Sequence, residues 1–417
     1  MNVNTVEEFL DLFINKKIRY DIIFFNDKES YKNLFKIAEE NTDKPEYLTL
    51  LGYLHKYGEA FGKNLELAYK AFRKAAEARD SYGMYELGLM YDRGDYVNVD
   101  FKEAAKWYTL ACEKDNPSAY CNLGCLYEKG SGVIKDERKA FECFEKAAEL
   151  GHVTALGNVA LYYRLGRAVT IDYKKSFELF KIGAEQNDRF CIYQLGYMYE
   201  NGCGVEKDLN KAFECYLSTA NRGYAKAMYF VGYFYENGLS VTKDYTKAFE
   251  WYEKAAIAGE SLAMRNVGTL YRYGQGVEKD LNKALYWFTK ASEAGNSRAM
   301  LNIGNMYDKG EGVPQDYDKA FIWYKKAAEL GNSIALNNIG VLYEQGKGVA
   351  KNIDHAITCY KKAAEYNCGI ALSNLGLCYQ YGRGVIQSKT VALMYFKKAI
   401  ENGYEKAKEH YNNLKNS

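Results

Sequence analysis

Histidine is scarce in this chain of 417 residues, with only His55, His152, His355 and His410, and these four fall far apart in different local patterns. That scatter excludes a histidine-built metal centre. A charge excess is missing too: 56 Lys plus Arg stand against 54 Asp plus Glu, a net of +2 with no block of one sign. An electrostatic nucleic-acid or anionic-membrane surface is therefore not expected. Long apolar runs are absent from the N-terminal region, where residues 22–25 (IIFF) fall far short of the roughly 20 that a membrane span needs. Residues 1–13 carry Glu7, Glu8 and Asp11 where a secretory leader would carry basic and then apolar residues. The expectation is a protein of the cytoplasm or a host-cell interior, without membrane insertion.

What the chain does have is a glycine that returns every 36 residues: Gly52, Gly88, Gly124, Gly196, Gly232, Gly268, Gly304, Gly340 and Gly376, with Ala160 in the one remaining place. So strict a period means one supersecondary unit copied ten times and stacked. Taking this glycine as position 0, Ala recurs at −5, Leu, Val or Ile at −1, and Tyr at +3 in nine repeats, with His55 in the first. Spacings of four and four place them on one helical stripe, the buried face of a short helix A. A glycine beside that stripe costs about 1 kcal/mol of helix propensity against Ala, which predicts that another backbone packs closely there.

All ten repeats carry a second glycine at +6, from Gly58 to Gly382, read as the left-handed stop of helix A. A G-x-G-V loop follows, whose valine (Val133, Val205, Val277, Val313) is placed to tuck back into the core, and then Asp at +12 in seven repeats to cap a helix B. Helix B has Ala at +16, an aromatic ring at +20 in every repeat, small residues at +23 and +24, and Gly or Asn at +27 to end it. The unit is an antiparallel helical hairpin. Residues 1–46 read as an N-terminal helical cap, with a capping box at Thr5 and Glu8, an apolar stripe of Val6, Phe9, Leu10, Phe13 and Ile14, and a second of Tyr31, Leu34, Phe35 and Ala38. The ten repeats then fill 47–407, and 408–417 form a C-terminal capping helix and tail that begins from Ala407.

The ten cysteines follow the repeat. Cys143, Cys215 and Cys359 stand at +19, where Trp107, Trp251, Trp287 and Trp323 stand in other repeats, so cysteine substitutes there for a core hydrophobe. Cys112 and Cys121 are the one pair placed for a bridge, but other repeats do not copy them, and free buried thiols are expected.

The pattern LGYMYENGCGVEKDLNKAFECY of residues 195–216, with KAAELG closing other units, resembles the SEL-1-like repeat, a relative of the tetratricopeptide repeat. The resemblance covers about 47–407 and departs most in repeat one (His55, Asn64) and repeat four (Ala160, Ser176). It implies an all-α fold, a right-handed α/α superhelical solenoid of about ten 36-residue hairpins with helical caps, in which the A helices line a concave groove. It also implies a scaffold or adaptor, as relatives are in signalling, quality control and at host–microbe boundaries, with no cofactor and no catalytic residue.

Cysteine-rich relatives associated with β-lactams make a hydrolase the alternative. The lone S-x-x-K match, Ser240 to Lys243, lies where neighbouring repeats have their Gly-Val loop and lacks SDN or KTG companions. The G-x-G loops recur as helix connectors without a preceding strand, so they are no phosphate cradle. A structural spacer using the convex B helices is the third reading.

Position −2 carries an amide series, Asn122, Asn158, Gln194, Asn266, Asn302, Asn338 and Asn374, interrupted by Phe230. It lies about 100° round helix A from position −1 and borders the implied groove. Repeats stacked about 10 Å apart and an extended peptide rising about 3.3 Å per residue would let one amide grip every third peptide residue. The competing role is to tie helix A to its neighbour. Selectivity would come from the variable positions +1 (Tyr197, Tyr233, Asn305) and +5 (Tyr273, Tyr381) on the same side, where rigid tyrosine rings favour a protein or peptide partner.

Overall fold

In the computed structural model, residues 6–14, 28–58 and 61–416 are described, and these form helices without a strand. Thr5 of the expected capping box and residues 22–25 lie outside them. The chain divides into two compact units, Met1–Ala212 and Phe213–Ser417.

The first unit runs α1 (Val6–Ile14), α2 (Lys28–Glu40), α3 (Pro45–Tyr57), α4 (Leu65–Glu77), α5 (Ser81–Arg93), α6 (Phe101–Cys112), α7 (Pro117–Lys129), α8 (Glu137–Glu149), α9 (Val153–Leu165), α10 (Tyr173–Glu185) and α11 (Arg189–Asn201). The division falls inside α12 (Leu209–Asn221). The second unit continues with α13 (Ala225–Asn237), α14 (Tyr245–Ile257), α15 (Ser261–Tyr273), α16 (Leu281–Glu293), α17 (Ser297–Lys309), α18 (Tyr317–Glu329), α19 (Ser333–Gln345), α20 (Ile353–Glu365), α21 (Gly369–Tyr381), α22 (Lys389–Glu401) and α23 (Ala407–Asn416). From α3 to α21 the odd-numbered helices are the A helices; their even-numbered partners are the B helices. Each unit is thus a stack of α/α hairpins, as expected.

Local chemistry fixes each hairpin. The +6 glycine closes every A helix in the left-handed region, for example Gly130 at φ 73° and Gly310 at φ 68°. The loop glycine at +8 is left-handed as well, and a Cβ on Gly204 would fall 2.2 Å from the Tyr173 carbonyl oxygen at the start of the preceding B helix. Asp136, Asp172, Asp244 and Asp316 cap their B helices by accepting from first-turn amides, and Asn64 does the same in repeat one, where Asp is missing. Val133, Val277 and Val313 pack against the core.

Three expectations need correction. The position-0 glycine meets the +20 ring of its own repeat together with the +16 carbonyl, where a backbone alone was expected: a Cβ on Gly268 would lie 2.7 Å from Phe288 Cδ1 and 3.1 Å from the Ala284 oxygen. The +3 tyrosines are mostly half-buried, with Tyr271 buried. Each sits between elements: Tyr235, Tyr271 and Tyr343 meet the edge of a phenylalanine on the preceding B helix (Phe213, Phe249, Phe321), and Lys247 and Lys283 stand over Tyr235 and Tyr271. Position +19, with Trp107 and Cys143 alike, is a half-buried border, because the core is filled by +20 instead. Every +20 ring is buried, and each contributes about 2–3 kcal/mol. Position +2 (Met90, Leu126, Phe234, Met306), whose burial the stripe alone did not reveal, completes the core.

The caps α1 and α2 bury Phe9, Phe13, Leu34 and Ala38 in the first unit's core, and Ala407 begins α23. All ten cysteines are free. Cys121 bonds Cys125 one helical turn away, and Cys112 and Cys121, the one pair placed for a bridge, are both free and buried.

Candidate partner-binding face

Within each unit, neighbouring A helices approach one another, as α3 and α5, α9 and α11, and α19 and α21 do. Among the described residues no two B helices come comparably close. The side of each stack on which helices crowd is the A side, and positions −2, +1 and +5 belong to the A helices.

The −2 residues divide by what precedes them. At three repeats where the preceding +20 ring is a tyrosine, its hydroxyl meets the amide: Asn122 Nδ2 donates to the Tyr108 hydroxyl at 3.1 Å, and Asn266 and Asn338 bond Tyr252 and Tyr324. Asn338 also donates to Asn305 Oδ1 at 3.4 Å, and Asn374 donates to Asn337 Oδ1 at 2.9 Å. Where the preceding ring is a phenylalanine (Phe144, Phe180, Phe288) there is no hydroxyl, and among the described residues Asn158, Gln194 and Asn302 have no side-chain hydrogen-bond partner. Gln194 and Asn266 are buried, while the other −2 amides are half-buried. Phe230 stacks on Tyr216 with centroids 4.8 Å apart. In repeat two the −2 residue is Glu86, which forms a buried ion pair with Lys56 at 2.6 Å and accepts from the Tyr53 hydroxyl.

Tyrosine hydroxyls at +20 donate to an acid at +4 of their own repeat, Tyr108 to Asp92, Tyr252 to Glu236 and Tyr360 to Glu344 at 2.6–3.2 Å, while the Tyr324 hydroxyl is shared between Asn305 Oδ1 at 2.9 Å and Asp308 at 3.3 Å. Burial first, and the adjoining carboxylate second, push the Tyr108, Tyr252 and Tyr324 phenols far above their ordinary value; at Tyr360 burial and the Glu344 bond do so. Charge pairs at +4 and +7 link successive repeats, Arg167 with Glu128 at 3.0 Å and Arg383 with Glu344 at 2.9 Å. Arg272 and Glu311 form the same contact with the charges exchanged.

At the variable positions, Tyr273 and Tyr381 are 60 % and 56 % exposed, and Tyr197, Tyr233 and Asn305 are half-buried. The Arg164 guanidinium lies 4.4 Å from the Tyr197 ring centroid. An open cleft of about 810 Å³ lies between α19 and α21, lined by Val341, Gln345, Asn374 and Leu377 with Glu344, Tyr360 and Arg383 on its polar side. The structure therefore brings the candidates together within neighbouring repeats and sorts the amides into engaged and open ones. The signal available in the sequence, and missed, is that Tyr at +20 is accompanied by Asp or Glu at +4 in its own repeat.

Ser240 occupies the loop place that glycine holds elsewhere, with φ 55°, and Lys243 lies over the Tyr245 ring. Among the described residues no group of His, Cys, Asp and Glu is arranged to hold a metal ion, and no helix is long and apolar enough to cross a membrane.

The family model for the Sel1 repeat matches ten times, at residues 45–80, 81–116, 117–152, 153–188, 190–224, 225–260, 261–296, 297–332, 333–365 and 369–404. Among solved structures, the chain is similar to c5321, a protective antigen of uropathogenic Escherichia coli with an SLR fold, at 31% identity over 93% of this chain and 90% of that one, with a TM-score of 0.56. A Sel1 repeat protein from Oxalobacter formigenes is 29% identical over 77% of this chain and 95% of its own, with a TM-score of 0.55. No curated protein gives a significant match. Proteins built from this repeat are generally protein-interaction scaffolds, typically without enzymatic activity. Ten in-phase copies of the repeat across most of the sequence, folded as stacked α/α hairpins, make this chain a member of the Sel1 repeat family.

Proposed function

We propose that the chain is a non-enzymatic adaptor that holds an extended segment or a helix of another protein against the A-helix face of its repeats, in the cytoplasm or a host-cell interior. The observation that carries this reading is the division of the −2 amides. Asn122, Asn266 and Asn338 are consumed in ties between repeats, whereas Asn158 in the first unit and Asn302 in the second are half-buried and keep their hydrogen-bonding capacity, and Tyr273 and Tyr381 are exposed on A helices of the second unit. Amides with unspent donors and exposed tyrosines on A helices support recognition of a peptide backbone. A net charge of +2 supports a protein partner over a nucleic acid.

The test is affinity capture with mass spectrometry, followed by binding measurements on two sets of variants. Changing Asn158 and Asn302 to Ala is expected to weaken a captured partner while leaving unfolding unchanged. Changing Asn122 and Asn338 to Ala is expected to cost about 1 kcal/mol of stability each, by removing a part-buried hydrogen bond between repeats. Unchanged affinity in the first set sinks the amide reading.

A further inference from the structure

Two arginines of the second unit have no carboxylate partner among the described residues. Arg265 lies at position −3 of α15 and Arg298 at −6 of α17, and among the described residues neither forms an ion pair, in contrast to Arg167, Arg272 and Arg383, each of which has a glutamate. Arg265 Nε is buried and has no hydrogen-bond partner. Burial, and to a lesser degree the charge of Arg298, push the Arg265 guanidinium below its ordinary value; Tyr229, Tyr252 and Glu236 pull the other way. Glu236 is already the acceptor for the Tyr252 hydroxyl. Holding a half-buried guanidinium whose buried Nε–H is unmet is costly to a fold, because that donor leaves water without compensation.

Both arginines line one cavity of about 390 Å³, together with Leu301, Asn302, Ser333 and Ile334. No acidic residue lines it. Asn302 is one of the open amides, because Phe288 offers it no hydroxyl. Two A helices, α17 and α19, begin at its wall with Ser297 and Ser333, and helix starts carry partial positive charge. The two guanidinium groups and the two helix starts favour an anion at this cavity, and the apolar flank of Leu301 and Ile334 suits a short hydrocarbon stem.

We propose that this cavity binds a carboxylate, and that the carboxylate is carried by an acidic residue of the partner segment. The second clause rests on the adaptor reading; the first does not. The planar fork of a guanidinium matches a carboxylate by two parallel N–H bonds, Asn302 supplies a further donor, and the stem of Asp or Glu lies on the apolar flank. Free phosphate has no such stem.

The full chain, with its arginine Nε–H signals followed by NMR, is titrated with glutarate and separately with inorganic phosphate at constant ionic strength. The Arg265 signal, assigned with Arg265→Lys, is expected to shift saturably with glutarate, and Arg298→Gln to weaken that binding about tenfold. Without glutarate, Arg265→Met is expected to melt at a higher temperature than the parent, and added glutarate to close the gap. A lower melting temperature for Arg265→Met, no saturable shift, or indifference to Arg298→Gln overturns the site. Saturation by phosphate but not by glutarate overturns the carboxylate. If glutarate binds as expected while a captured partner is indifferent to Arg298→Gln, the site stands and its assignment to the partner falls.

Discussion

Adding one methyl group at Gly268 pits helix propensity against packing, and the structure decides which wins. The new carbon would lie 2.7 Å from Cδ1 and 2.8 Å from Cε1 of Phe288, and 3.1 Å from the Ala284 carbonyl oxygen. Carbon atoms pack best at about 3.5–4.0 Å, so the ring would have to retreat by about 1 Å. It has little room to do so: Phe288 is fully buried, and the Ala284 oxygen belongs to the backbone of the same B helix. Overpacking of this kind costs about 2–3 kcal/mol, against about 1 kcal/mol regained from the better helix former. Gly268→Ala is therefore expected to destabilise by about 1–2 kcal/mol net. In the converse experiment, Ala160→Gly in repeat four should cost about 1 kcal/mol, since the chain already accommodates that methyl group. There Ser176 replaces the usual +16 alanine and donates to the Ala160 carbonyl at 2.7 Å. Because a stack of repeats unfolds in parts, the readout is amide hydrogen exchange of α15 and α16, or of α9 and α10, alongside urea unfolding. Stability unchanged or raised in Gly268→Ala would refute the reasoning.

The Arg272–Glu311 contact yields a second expectation. Arg272 has a side-chain exposure of 7 % and Glu311 of 26 %, so Glu311→Gln strands a buried guanidinium and is expected to cost about 2–3 kcal/mol in urea unfolding, while exchanging both charges recovers most of that loss. The Arg272 bond holds the Glu311 carboxyl below its ordinary value, so its stabilising contribution is complete above the unfolded carboxylate range near about pH 4.3 and fades as pH falls through the lower folded value. A pH titration of the difference between parent and Glu311→Gln checks the sign. The thiols give a third: the Cys121 hydrogen bond lowers the Cys125 thiol, whereas burial pushes Cys143 and Cys215 up to about 11. Iodoacetamide at about pH 8 should modify Cys125 before either, as read by peptide mass spectrometry, and equal rates would contradict it.

Much of the fold was legible because its determinants are local. A left-handed residue at +6, a cap at +12 and apolar residues at helical spacing act within one turn or one loop, so ten copies of the sequence give ten hairpins. Asn64 capping α4 in place of Asp illustrates how tolerant that code is. The role of the position-0 glycine was less accessible. Its period was plain, but only packing identified the +20 ring, 20 residues away on another helix, as what the missing Cβ makes room for.

The candidate face was legible in part. The sequence put Asn122, Asn158 and Asn302 in one series, and side-chain neighbours across repeats separate them: Tyr108 engages Asn122, while Phe144 and Phe288 leave Asn158 and Asn302 open. By itself, then, the sequence determined the repeat, its hairpin and the side of helix A on which its variable residues stand, since periodicity records what every copy must share. Tertiary structure alone decided which polar groups are spent and which remain, from the engaged Arg272 to the unpaired Arg265. A hydrogen bond or ion pair between repeats depends on the identity of one particular neighbour brought close by stacking, and a pattern common to all copies cannot carry that information.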